Sequence, residues 1–260
     1  MASKLALQSG TKIVCIGANY AAHVAEMAAM LGSAMAPAKD PTIFLKPLSS
    51  YVHPLASAAP TPLPLPTGIG EVHHELELGV VVGSTMRRVA AADALSHVGG
   101  FVIALDLTAR DLQSAAKTAG KPWTVAKGYD GFCPVSDVVP WAPGGGVDLM
   151  DLDLYLDVNG ERRQECNTSG MTTSIPDMLA YVSSVMVRCC CRRRRRPHRH
   201  PRRPPPTPLH RLTPSPQTLE RGDLVLTGTP SGVGPLVAGD KVVGGVAGHV
   251  EGRWECVDAR

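Results

Sequence analysis

Apolar residues along this chain fall into short runs punctuated by glycine, proline and acidic residues, and most of those runs have strand character. Lys12–Gly17 (KIVCIG) and Thr42–Leu45 read as strands. Glu71–Gly83 reads as a longer strand whose second half, Leu78–Val82, is apolar enough to be buried at one end. Phe101–Leu107 is another such run, with Asp106 near its end. Leu149–Val158 (LMDLDLYLDV) alternates cleanly and runs into Asn159-Gly160, a strong hairpin-turn signal. Asp223–Leu226 is a strand ending in Thr227-Gly228-Thr229-Pro230, and Asp240–Val257 suggests short strands around glycines. Helical pattern is scarcer. Tyr20–Leu31, rich in Ala and Met, is expected to be helical, and Ser174 with Asp177 caps a second helix running through Val187, with Pro176 in its first turn. Thr108, with Asp111 three residues on, is the expected N-cap of a third helix. Pro54–Gly70 is Pro/Gly-rich and is expected to be loop. Many short strands with few helices define an α+β class with a mostly β core.

Composition changes the picture in one place. The chain has 260 residues, 44% of them hydrophobic, enough for one large domain or two small ones. No apolar run has the length of a membrane span, so no membrane association is expected. The net charge of +3 is set by residues 188–217, which hold ten Arg, eight Pro, three Cys, three His and no acid. Outside that segment basic residues fall from 26 to 16 against 23 acids, so the remainder carries −7. This is an acidic globule with a basic insert, and nucleic acid is not the expected partner. The insert is Pro-rich and like-charged, and it cannot build a core. Excising it joins Val187 to Thr218 as an ordinary helix exit into a strand, so 188–217 reads as a disordered retained intron or gene-model artefact interrupting a single catalytic domain over 1–260. The alternative is a patch for anionic partners or targeting. Cys15, Cys133, Cys166 and Cys256 lie outside the insert without a CxxC, and they read as free thiols of a reducing compartment. Met1–Lys12 has neither a secretory apolar core nor a strong transit-peptide pattern, which makes cytoplasm the default and leaves an organelle open.

The chemistry concentrates in carboxylates. In a strand, residues two apart share a face, so Glu75 and Glu77 would point the same way. Paired buried carboxylates repel unless something positive joins them. With Asp106 as a third carboxylate and no cysteine beside them in sequence, the set favours a hard cation such as Mg²⁺, Mn²⁺ or Ca²⁺ over Zn²⁺. The competing reading is a solvated face of an antiparallel sheet, and spacing alone leaves both open.

Six ordered motifs carry a resemblance. They are Gly17-Ala18-Asn19-Tyr20-Ala21-Ala22-His23-Val24-Ala25-Glu26-Met27, Phe44-Leu45-Lys46-Pro47, His73-His74-Glu75-Leu76-Glu77-Leu78, Leu105-Asp106-Leu107-Thr108-Ala109-Arg110-Asp111-Leu112-Gln113, Pro122-Trp123-Thr124-Val125-Ala126-Lys127-Gly128, and Leu226 through Pro235. Together the chain resembles the fumarylacetoacetate hydrolase superfamily, most closely its single-domain acylpyruvase/oxaloacetate decarboxylase members. The resemblance implies a mixed-sheet β-roll of the superfamily's C-terminal-domain type, a homodimer, and often a mitochondrial location. It implies that Glu75, Glu77 and Asp106 hold Mg²⁺, with Mn²⁺ possible as a substitute.

On that reading the substrates are small 2-oxo acids, and the expected enzyme is a metal-dependent C–C bond hydrolase of 3-acylpyruvates with linked oxaloacetate decarboxylation. Oxaloacetate tautomerase and dienedioate isomerase are the close alternatives; an inactive splice form with an anion-binding insert is the distant one. Catalytic roles fall to His23, Glu26 and Lys127: a carboxylate three residues on can orient the imidazole as a general base, and the ammonium can stabilise an enolate. Arg110, Gln113, Thr229 and Lys46 are expected to bind substrate, with His73 and His74 as structural neighbours and Asn19 and Tyr20 supporting a lid. The glycines of Gly228–Gly234 have neither P-loop nor dinucleotide-fold spacing and read as a tight substrate-binding turn. Ala18 departs from the pattern, standing where an arginine is common.

Overall fold

The computed structural model describes residues 7–31, 40–57, 59–185 and 218–259. The insert expected at 188–217 lies outside the described residues, as do Met186 and Val187 at the end of the second predicted helix.

The fold is α+β and mostly β. A six-stranded mixed sheet runs in the order Val139–Pro140, Val98–Leu105, Leu76–Val82, Leu224–Leu226, Ile13–Gly17, Thr42–Lys46. Its pairs are antiparallel except Ile13–Gly17 with Leu224–Leu226. A five-stranded sheet runs Glu161–Asn167, Asp153–Val158, Lys241–Val246, Val250–Asp258, Thr61–Leu65. Leu76, Leu78 and Val80 of the first sheet share one core with Leu63, Leu154, Leu156, Val242 and Trp254 of the second. The other face of the first sheet is also covered, by a cluster holding Ile13, Cys15, Val81, Val102 and Leu226. All seven residues of Leu76–Val82 are therefore buried, which is why its Leu78–Val82 part reads as continuously apolar rather than alternating.

Three expectations need correction. Thr61–Leu65 lies in the region expected to be loop but forms a strand parallel to Val250–Asp258. It stands at a sheet edge, where Pro62 and Pro64 need not donate to a further neighbour. Glu71–Gly83 is not one strand. It breaks at Glu75 into Val72–His74, which pairs with Gly234–Leu236 and Thr108–Ala109, and Leu76–Val82, which joins the large sheet. Thr108 is not a helix cap, because it is in that small sheet and its hydroxyl donates to the Asp106 carbonyl. The helix Arg110–Thr118 starts after Ala109 with no side-chain cap.

Other local signals were sufficient by themselves. Asn159 and Gly160 both have positive φ (54° and 80°), the conformation of a two-residue primed turn, and join Asp153–Val158 to Glu161–Asn167. Ser174 Oγ accepts from the Asp177 amide and donates to its carboxylate, opening the helix Ile175–Val185.

Candidate active site

The site forms where strands of the large sheet end. The break at Glu75 turns its side chain inward next to Glu77, and the Asp106 amide donates to the Glu75 carbonyl at 2.8 Å, locking the two strand ends together. Glu75, Glu77 and Asp106 are all buried, and one oxygen of each lies within 4.8 Å of the others. The expected convergence is thus met, but by a strand that switches sheets rather than by simple alternation.

The carboxylates are held by a ring of donors. Lys127 Nζ donates to Glu75 Oε2 (2.8 Å) and Asp106 Oδ2 (2.5 Å). Arg110 donates to Glu75 Oε1 (2.9 Å), to Gln113 Oε1 and to His73 Nδ1. Glu77 accepts from the Gly228 amide at 2.7 Å. Gly228 has φ +97°, and a Cβ there would sit 2.8 Å from Asn19 Cβ, so only glycine brings that amide to the carboxylate. Burial by itself would raise the Glu75 carboxyl; Lys127 and Arg110 outweigh it and bring it down to about 2. Glu77 goes the other way, since burial and then the Asp106 charge push its carboxyl well up. Burial disfavours the Lys127 ammonium, but Asp106 and Glu75 more than offset that and raise it, so it stays charged.

This donor set fits a divalent cation. Asp106 Oδ1 is buried and accepts no hydrogen bond, although Lys46 Nζ lies 2.8 Å away, because the Lys46 protons are directed at three backbone carbonyls. The proton that Glu77 favours is positive charge that a cation would supply. The fold also brings Cys15 and Cys133 close enough to feel Asp106 and Glu77, but burial above all raises both thiols, Cys133 to about 12, with the carboxylates adding to it and the Lys46 charge opposing it. Neutral thiols are poor ligands, and the oxygen set stands alone.

A cavity of about 230 Å³ opens onto the triad. Of the ten residues expected in the site, eight line it: the three carboxylates, His23, Arg110, Gln113, Lys127 and Thr229. Glu26 stands behind His23, with Oε2 3.4 Å from Nδ1, and accepts the Gly232 amide at 3.3 Å. Asn19 fastens the start of that helix by bonding Thr173 and the Thr227 carbonyl. Lys46 is a correction. It is fully buried beneath the carboxylates with its protons given to Leu107, Lys127 and Phe132 carbonyls, so it supports the floor of the site and does not line the cavity.

Three contributors escaped sequence reasoning. Gln164, the one buried residue of the strand Glu161–Asn167, accepts from His74 and the Leu76 amide and donates to Thr229 Oγ1. That ties the break at Glu75 to the Thr229 turn. Lys117 and Trp123 also line the cavity. A helical spacing of seven from Arg110 was the available signal for Lys117; the cross-sheet partners of Gln164 left none.

A buried acidic triad that could hold a divalent cation, with compensating lysines and an opposed histidine, is set at the strand ends of an α+β, mostly β fold. Residues 12–253 match the family model described as fumarylacetoacetate (FAA) hydrolase C-terminal. The chain is 40% identical over 248 residues to a mitochondrial oxaloacetate tautomerase of Arabidopsis thaliana, covering 95% of this chain and 92% of that one. It is 38% identical over 241 residues to a mitochondrial oxaloacetate decarboxylase of Dictyostelium discoideum, covering 93% and 91%. Among solved structures, it is similar to fumarylpyruvate hydrolase from Pseudomonas aeruginosa in complex with Mn²⁺ and pyruvate, with TM-score 0.76, 28% identity, and 95% and 90% coverage. The chain belongs to the fumarylacetoacetate hydrolase family and is an enzyme of that family.

Proposed function

We propose that this enzyme performs enolate chemistry on 2-oxo acids: keto–enol interconversion and decarboxylation of oxaloacetate, with hydrolysis of 3-acylpyruvates at the same site. The sequence placed acylpyruvate hydrolysis first; relatives that carry tautomerase and decarboxylase names move the emphasis to oxaloacetate. Mg²⁺ is the proposed ion with Mn²⁺ as a substitute, and the mitochondrial names of the relatives support a mitochondrial location. The observation that carries the reading is His23 on the same cavity as Glu75, Glu77, Asp106 and Lys127.

Held by Glu75, Glu77 and Asp106, a divalent cation would supply Lewis-acid polarisation of the 2-oxo acid. Lys127 keeps a fixed ammonium at the edge of the triad, where it stabilises negative charge growing on the 2-oxo oxygen. In tautomerisation His23 removes a proton from C3, the electron pair becomes the C2–C3 double bond, and the 2-oxo oxygen gains a proton. In decarboxylation the C3–C4 bond breaks, CO₂ leaves, and the enolate takes a proton at C3 to give pyruvate. In hydrolysis His23, oriented by Glu26, takes a proton from water as its oxygen bonds the acyl carbon. The C–C pair passes to the pyruvate enolate, which is protonated at C3.

The test follows loss of enol-oxaloacetate absorbance and pyruvate release from oxaloacetate and acetylpyruvate. It is run with EDTA and with added Mg²⁺ or Mn²⁺, for the full chain and for a chain lacking 188–217. Metal-dependent turnover is expected in at least one form. Its failure in both sinks the reading, and activity only after deletion identifies the insert as a defect in an otherwise single catalytic domain. His23→Ala should cost hydrolysis about 10²–10⁴-fold and decarboxylation, which needs no activated water, much less. Equal losses would undo that division of labour.

A further inference from the structure

The helix Arg110–Thr118 carries more of the cavity than its first turn. Arg110, Gln113 and Lys117 stand at i, i+3 and i+7, so they form one stripe, and all three line the cavity. Side chains on a helix lean toward its N-terminus, which brings Lys117 back toward Gln113 and the triad. Seven residues of helix separate the Arg110 and Lys117 Cα atoms by only about 10 Å, and two side chains leaning into one cavity come closer than that.

The cations of this site differ in what they have left to give. Lys127 is shared between Glu75 and Asp106, and Arg110 is divided among Glu75, Gln113 and His73. Among the described residues, Lys117 is the one cation lining the cavity that pairs with no carboxylate. Its ammonium instead lies 5.2 Å over the Trp123 ring. Trp123 is itself fixed edge-on against Phe44 at 5.6 Å and lies against Gly17, so the platform under Lys117 is rigid. Half-burial and then the neighbouring Arg110 charge both disfavour the unpaired ammonium, a penalty that an incoming anion would relieve.

We propose that Lys117, seated on Trp123, receives the distal carboxylate of a dicarboxylic 2-oxo acid and makes the site selective for anionic-tailed substrates over neutral-tailed acylpyruvates. This rests on the enolate-chemistry reading above and sharpens its substrate class. The 2-oxo carboxylate end meets the triad and Lys127, and the second carboxylate meets Lys117. The walls between, Phe44, Thr42 and Ala18, carry no charge that would compete. The local charge balance agrees. A divalent cation leaves the triad at −1, and Lys46, Lys127 and Arg110 bring it to +2. Glu26 behind His23 and Lys117 then offset one another, so the site as a whole matches a dianion.

Two measurements test this with Lys117→Met and Lys117→Arg. The first is the ratio of kcat/KM for oxaloacetate to that for acetylpyruvate. Lys117→Met should lower it about tenfold, mainly through KM for oxaloacetate, and Lys117→Arg should restore most of it. The second is calorimetric binding, to Mn²⁺-loaded protein, of two non-reacting ligands of equal chain length, 2-oxoglutarate and 2-oxovalerate. The wild type should prefer 2-oxoglutarate, and Lys117→Met should erase the preference. Equal losses for both members of either pair, or an unchanged preference, overturn the proposal and leave Lys117 a half-exposed charge over an aromatic ring. A wild type that turns over neither substrate but still prefers 2-oxoglutarate overturns the proposed reaction and keeps this assignment; one that binds neither ligand overturns both.

Discussion

The large sheet buries charge at both ends of its strands, and the two clusters are built in opposite ways. Where Ile13–Gly17 and Leu224–Leu226 begin, Asp223 faces Lys12. Asp223 accepts from the Thr11 amide and hydroxyl, the Lys12 amide and ammonium, and the Glu220 amide, while Lys12 Nζ has three acceptors. The two charges pair one to one, and both Asp223 oxygens and the Lys12 ammonium have their hydrogen bonds met. Where the same strands end, three carboxylates share four hydrogen bonds from Lys127, Arg110 and Gly228, and Asp106 Oδ1 accepts none. A closed pair needs nothing further and holds a strand register, whereas an open anionic cluster keeps a place for a cation and a substrate. Incomplete satisfaction, more than burial or charge, distinguishes a site from a structural pair.

The largest effect should come from the open cluster. Glu77→Gln keeps the shape but removes a ligand oxygen charge. Divalent-cation affinity and turnover should fall by more than the roughly 10–100-fold typical of outer partners, while the metal-free protein melts no lower because burial and the Asp106 charge already favour a neutral side chain there. Calorimetric Mn²⁺ titration and melting curves check both halves, and unchanged Mn²⁺ affinity would break the comparison. Asp223→Ala should do the reverse, costing about 3–5 kcal/mol by stranding a buried ammonium, read by urea denaturation, with Mn²⁺ affinity of the folded fraction intact. Gln164→Leu is expected to cost about 1–3 kcal/mol, because His74 and the Leu76 amide lose their acceptor. KM should rise as Thr229 is freed from its donor.

The smallest effect concerns the thiols beneath the triad. A thiol raised in the folded state contributes stability fully below its ordinary pKa, roughly 8.5, and loses that contribution as pH climbs toward the folded value of about 12. Stability should therefore be flat from pH 7 to 8 and fall toward pH 10, and Cys133→Ala should flatten that slope whatever it does to the baseline. A pH-independent difference between the two proteins would show that the thiol is not held neutral.

The triad and its neighbours were legible through six ordered motifs that resemble one family, because Glu75 and Glu77 two apart, or His23 and Glu26 three apart, also fit a solvated surface when taken singly. Errors arose where distant segments decided. Pro62 and Pro64 advertise loop until Val250–Asp258 offers an edge to pair with. Thr108 looks like a cap until Val72–His74 draws it into a strand. Lys46 has the chemistry of a substrate clamp, yet three carbonyls from two other segments claim its protons.

The residues alone determined the α+β class, the hairpin at Asn159-Gly160 and the capped helix at Ser174, because each depends on backbone preference or periodicity within a few residues; the carboxylates were picked out by the family motifs around them, since their spacing also fits a solvated strand face. The tertiary structure decided that the strand would break at Glu75, that Gly228 would reach Glu77 across 151 residues, and which lysine stays buried and which faces the cavity. Those outcomes depend on which hydrogen-bond partners and charges arrive from elsewhere in the chain, and no local pattern encodes them.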